Sequence, residues 1–186
     1  MPLTRIRFLR AAWPGLLAAT FVVAGCGGAP DHDAPSGTTV VQDGVAYSVQ
    51  TSRALNPLDP DDGALLQGVR GAKRLDGPDT TLMVVFLQAS DEASGTRNAV
   101  TAPELVDAFG RVFPPLDLPA GNALAYHGGR LSSGQQIPDP RSDAAEGPAD
   151  GAALVYRLPT DVFLTDRPFT LRFGAGDGAA SVELDL

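Results

Sequence analysis

The run at 80–89, Thr-Thr-Leu-Met-Val-Val-Phe-Leu-Gln-Ala, contains no glycine, proline or charge. Successive side chains on a strand point to opposite faces. A strand that is apolar on both faces needs cover on both sides, so this run predicts a central strand. Around it, short alternating runs recur between Gly, Pro and Asp clusters. Val45, Tyr47 and Val49 share one face of a strand, and Leu154, Tyr156 and Leu158 share one face of another. Phe169, Leu171 and Phe173 alternate with Thr170 and Arg172, and Val182, Leu184 and Leu186 alternate with Glu183 and Asp185. The last two runs form a hairpin across the glycine-rich stretch 174–178. Weaker strands are expected at 39–42, 65–69, 104–108 and 123–131.

No stretch has the sustained 3.6-residue period of a long amphipathic helix. Residues 64–75 could form a helical turn, but Gly68 and Gly71 each cost about 1 kcal/mol there relative to Ala. Seven to nine short strands with frequent turn signals predict an all-β sandwich over 39–186. Its two sheets are expected to bury Val45, Tyr47, Val49, Leu82, Val84, Phe86, Leu105, Leu154, Tyr156, Phe169, Leu171 and Phe173. Two long loops interrupt the pattern. One, at 56–63, carries Asp59, Asp61 and Asp62 between prolines; the other spans 132–151. Such length within a compact domain implies function or disorder, and the polarity of 132–151 favours disorder.

The N-terminus has a different character. Arg5, Arg7 and Arg10 precede an apolar run from Ala11 to Val23, interrupted once by Pro14, and Val23-Ala24-Gly25-Cys26 follows. Positive charge, a short apolar stretch and small residues at a cleavage point mark a secretory signal over 1–25. The apolar run is shorter than the roughly 20 residues needed to span a bilayer. Val23–Cys26 resembles the lipobox of bacterial prolipoproteins, which implies cleavage before Cys26 and diacylglycerol on its sulfur. The alternative is an ordinary secreted protein with a stray cysteine near the cut.

Cys26 is the only cysteine, so no disulfide can form within the chain and no thiol is left for catalysis. Two acyl chains give stable anchorage where one gives marginal binding. The expected location is the extracytoplasmic face of the cell membrane. Residues 26–38, small, polar and punctuated by proline, read as a flexible tether. Removing the leader leaves 11 Lys+Arg against 22 Asp+Glu, a net charge of −11. That surface repels phosphate backbones and excludes nucleic acid as a partner.

The order of the strands resembles an immunoglobulin-like domain family of unknown function, common in Gram-positive lipoproteins and related to the secreted mycobacterial immunoprotective antigen. Gly44–Val49 looks like its opening strand and 81–87 its central apolar strand. Glu104–Phe113, with Asp107 and Gly110, looks like its aspartate–glycine–aromatic element, and Ala153–Pro159 its late strand ending in proline. The sequence departs from the pattern at Gln88-Ala89-Ser90, where the family has Asn, and at 132–151. The resemblance implies fold and location; the family has no shared catalytic residues.

Catalytic chemistry finds few candidates. There is no Gly-x-Ser-x-Gly elbow, and nucleophilic catalysis needs a hydroxyl or thiol beside an oriented base. After cleavage the histidines are His32, in the tether, and His127, in Tyr126-His127-Gly128-Gly129. Asp59, Asp61 and Asp62 offer oxygens for calcium but lack EF-hand spacing. The stretch 68–74 only faintly echoes a phosphate loop. No cofactor is implied. The expected function is a non-enzymatic module that binds an envelope protein or small ligand. Two other readings are an envelope hydrolase using His127 with acidic residues, and a calcium-stabilised adhesion domain.

Overall fold

The computed structural model describes residues 33–69, 72, 75, 77–91, 95–147, 149–176 and 178–186. In chain order its strands and helices are β1 (Asp33–Pro35), β2 (Thr39–Gln42), β3 (Val45–Ala54), α1 (Pro60–Leu65), β4 (Thr80–Asp91), β5 (Thr96–Ala99), β6 (Glu104–Val106), β7 (Val112–Phe113), β8 (Gly129–Ser132), β9 (Gln136–Ile137), α2 (Asp143–Glu146), β10 (Ala152–Pro159), α3 (Thr160–Thr165), β11 (Phe169–Phe173) and β12 (Ala180–Leu184). One sheet has the order β1-β12-β11-β6-β7. The other runs β10-β4-β3-β2, with β9 also on β4, and β5 pairs with β8. The fold is an all-β sandwich. No helix among the described residues is long and apolar enough to cross a membrane.

The main core lies between the two large sheets. Val45, Tyr47 and Val49 of β3, Met83, Val85 and Leu87 of β4, and Leu154, Tyr156 and Leu158 of β10 face Phe169, Leu171 and Phe173 of β11 and Val182 and Leu184 of β12. Tyr47 stacks on Phe173 with ring centroids 4.2 Å apart. β4 is central, paired antiparallel with β3 and β10. The β11–β12 hairpin forms as the sequence predicts, with Phe169 opposite Leu184.

One expectation is half wrong. Leu82, Val84 and Phe86 are buried, but not between the sheets. They lie on the outer face of β4, in a second cluster with Leu55, Leu65, Leu66, Leu118, Ala125, Ala153 and Val155. Period two separates the two faces of a doubly apolar strand but cannot say which one meets the partner sheet.

The weaker strands fare unevenly. The stretch 65–69 is not a strand: Leu65 ends α1, and turn-type hydrogen bonds from Leu66, Gln67 and Val69 follow. Of 104–108 only Glu104–Val106 pairs, and of 123–131 only its C-terminal end joins a strand. Instead, 115–126 runs along the free edge of β10. Leu116 N–H donates to Val155 C=O, Tyr126 N–H to Ala153 C=O, and Ala153 N–H to Leu124 C=O. This covers a sheet edge that would otherwise be open to pairing.

The loop 132–151 carries β9 and α2 rather than disorder. Gln88 Nε2 donates to Asp150 C=O at 2.7 Å, and Gly151 N–H to Ala144 C=O at 3.1 Å, tying the segment to β4 and to itself. At the N-terminus, β1 pairs parallel with β12 from Asp33 to Pro35, so pairing begins inside the stretch read as tether. Cys26, His32 and the leader 1–25 lie outside the described residues.

Candidate functional site

A bulge in β3 sets up the site. Val49 lies opposite Leu87, but the next paired residue, Thr51, lies opposite Phe86. The extra residue, Gln50, reverses the sense of every side chain that follows. Without it, Thr51 and Arg53 would share the face of Val45, Tyr47 and Val49, and an arginine would point into the core. With it, both reach the outer face of the sheet beside Phe86.

Two short helices wall that face. Asp59 caps α1 by accepting the N–H of Asp61 at 2.9 Å and of Asp62, and Pro60 occupies the first turn. Proline there loses no helical hydrogen bond. Asn122, buried, donates from Nδ2 to Leu65 C=O at 2.9 Å, and its Oδ1 accepts the N–H of Leu124. This fixes α1 against the strip beside β10. On the other side, α2 is followed by a close approach of the chain to β4: a Cβ at Gly151 would meet Leu87 N at 3.1 Å and Phe86 C at 3.2 Å.

Between these walls lies a concavity of about 440 Å³. Phe86, Leu65, Leu124, Ala144 and Ala149 supply its apolar surface, and Thr51, Arg53, Asp61 and Asp143 its polar groups. The size falls within the range of small-ligand sites. Arg53 forks onto Asp62 through both terminal nitrogens, with Nη1 to Oδ2 at 3.0 Å, and lies 6.0 Å from the centroid of Phe86. The guanidinium holds the Asp62 carboxyl below the usual carboxylate range, against the opposing effect of burial, and the N–H of Asn56 assists.

The expected site residues therefore take separate roles. Asp59 caps a helix, Asp62 is buried against Arg53, and Asp61 faces the groove. They do not converge as calcium ligands would. Among the described residues no group of three or more His, Cys, Asp or Glu could hold a metal ion. His127 is exposed. It borders two clefts of about 390 and 370 Å³ whose described lining carboxylates are Asp139 in one and Asp117 in the other.

The motif around His127 has a packing explanation. Tyr126 Oη donates to Val100 C=O at 2.9 Å, and a Cβ at Gly128 would lie 2.2 Å from that same carbonyl oxygen. Of the groove residues, the sequence marks Asp61 only as a calcium candidate and Phe86 only as core, and it does not mark Thr51, Arg53 or Asp143. The available signal was Asn-Pro-Leu-Asp-Pro-Asp-Asp at 56–62: Asp followed by Pro, then acidic residues, starts a helix.

No family model and no curated protein matches the chain. Among solved structures, the yjhA protein of Bacillus subtilis aligns with a TM-score of 0.50 at 14% identity, over 82% of this chain and 99% of its own. An uncharacterized β-sandwich protein of Clostridium difficile aligns with a TM-score of 0.44 at 9% identity, over 82% of this chain and 93% of its own. A functionally unknown protein of Listeria monocytogenes gives 0.49 at 8% identity, over 82% of both chains. At these identities the likeness is one of fold: this chain shares a β-sandwich architecture with the Bacillus subtilis protein.

Proposed function

We propose that the chain is a lipoprotein, anchored through Cys26 at the extracytoplasmic face of the membrane, whose immunoglobulin-like sandwich is a non-enzymatic binding module. The observation that carries the binding role is the groove on the outer face of the four-stranded sheet. A sandwich needs its inner faces for folding; it does not need a walled apolar hollow outside them. Here α1, α2 and the β3 bulge build one, and loops positioned by a rigid scaffold are where binding residues concentrate. The leader and lipobox support the anchor. Six residues lie between Cys26 and Asp33, which limits the tether to about 25 Å at full extension.

Two measurements test the proposal. Cells fed an alkyne-tagged palmitate should label the wild-type protein and not Cys26→Ala; unlabelled wild type overturns the anchor. For binding, the full chain in lipid nanodiscs is screened by melting temperature against small apolar compounds, beside Thr51→Trp. Thr51 is exposed and lines the groove, so the larger side chain fills the hollow without entering the core. Compounds that stabilise the wild type should lose that effect in the variant. If every stabilising compound acts equally on both, the groove is not the binding site.

A further inference from the structure

We infer that the groove takes a small organic cation: an apolar body carrying an ammonium or guanidinium group. The inference rests on the groove's being a binding site and adds the class of ligand. Phe86, Leu65, Leu124, Ala144 and Ala149 supply apolar surface for the body. The charge follows from the ionisable groups among the described lining residues, Arg53, Asp61 and Asp143. Arg53 is already matched, because Asp62 accepts both of its terminal nitrogens while Nη1 also reaches Ala54 C=O. Asp62 is buried behind it and committed to Arg53 and to the N–H of Asn56.

That leaves Asp61 and Asp143, one on each wall, both exposed. Among the described lining residues there are thus two carboxylates, and the cation, Arg53, is paired with Asp62. An anionic ligand would meet repulsion at both walls and find Arg53 occupied. A neutral ligand would leave both carboxylates without a counter-charge in the hollow. A cation seated on the apolar floor supplies that counter-charge and keeps the Arg53–Asp62 fork intact. Charge complementarity of this kind sets preference between ligands of equal apolar area.

The test uses two probes that share one apolar body, naphthylmethylammonium and naphthoate. Each is titrated calorimetrically into the full chain in zwitterionic nanodiscs at low salt, with empty discs subtracted. The ammonium should bind about tenfold more tightly than the carboxylate, the order expected when two exposed carboxylates attract one probe and repel the other. The double variant Asp61→Asn, Asp143→Asn should bring the two affinities within about twofold of each other, and added salt should do the same. Both substitutions are at exposed positions, and circular dichroism checks that the fold is unchanged. Thr51→Trp should weaken both probes. Equal binding of the two probes, or a preference unmoved by the double variant, overturns the cation inference and leaves the groove as a site. Failure of both probes to bind overturns the site itself and the inference with it.

Discussion

The three tyrosines of the chain act on one segment. Tyr47 Oη accepts the N–H of Val100 at 2.8 Å, Tyr126 Oη donates to Val100 C=O, and Tyr156 Oη donates to Pro103 C=O at 2.8 Å. Burial raises all three hydroxyls above their ordinary range, so each stays neutral. They pin a connecting stretch across the core, and Gly128 lets the chain pass against it. Asp107 does comparable work in the β6–β7 turn. Its Oδ1 accepts the N–H of Phe109 and of Arg111, both at 2.9 Å, and its Oδ2 accepts Arg111 Nε. Arg111 also reaches Asp166. Burial alone would raise the Asp107 carboxyl, but the Arg111 and Phe109 donors outweigh it and hold it below the usual carboxylate range. A carboxyl depressed in the folded state contributes stability above its unfolded value of about 3.9, and that stability is lost as pH falls through the folded value. Melting temperature should therefore drop as pH falls below about 4, and Asp107→Asn should flatten that acid limb while costing about 1–2 kcal/mol at neutral pH. Parallel acid limbs in wild type and variant would remove Asp107 from the account.

At the scale of elements, β4 organises the molecule because both of its faces are buried. Met83, Val85 and Leu87 close the sandwich, while Leu82, Val84 and Phe86 support the outer cluster beneath the groove. A strand with one wet face would show alternating sensitivity to truncation. Here Leu82→Ala and Met83→Ala should each cost about 2–5 kcal/mol in urea unfolding. A cost below about 0.5 kcal/mol for Leu82→Ala, the range of surface substitutions, would show that the outer cluster does not support the fold. The doubly apolar character of β4 was plain in the residues. The choice of inner face was not, since both candidate sets satisfy the same period. The bulge at Gln50 was equally hidden: nothing in Val-Gln-Thr-Ser-Arg marks where one residue drops out of register.

The whole molecule has a polarity set by β1. Asp33 lies opposite Ser181, at the end of the sheet that carries the β11–β12 loop, whereas the β6–β7 turn extends beyond the other end. Phe109 stands at that far turn, 75% exposed. If the chain is anchored at Cys26 as proposed, Ala175 in the β11–β12 loop should face the membrane and Phe109 should point away. Fluorophores placed by Ala175→Cys or Phe109→Cys on the lipidated protein in vesicles check this, using nitroxide-labelled lipid as quencher. The label at 175 should be quenched more strongly, and equal or reversed quenching would reject the orientation.

The residues alone determined that the chain builds strands, that the run at 80–89 is central, and that most of the core is aliphatic and aromatic in alternation. These are local consequences of side-chain period and turn chemistry. The groove was decided only by tertiary structure. It depends on a one-residue bulge that turns Arg53 outward, on Asn122 holding α1, and on Gly151 bringing α2 close to β4. Each is a relation between residues distant in sequence or a register choice between equivalent patterns. Local pattern cannot specify it, because its free energy arises only when the partner surface is already in place.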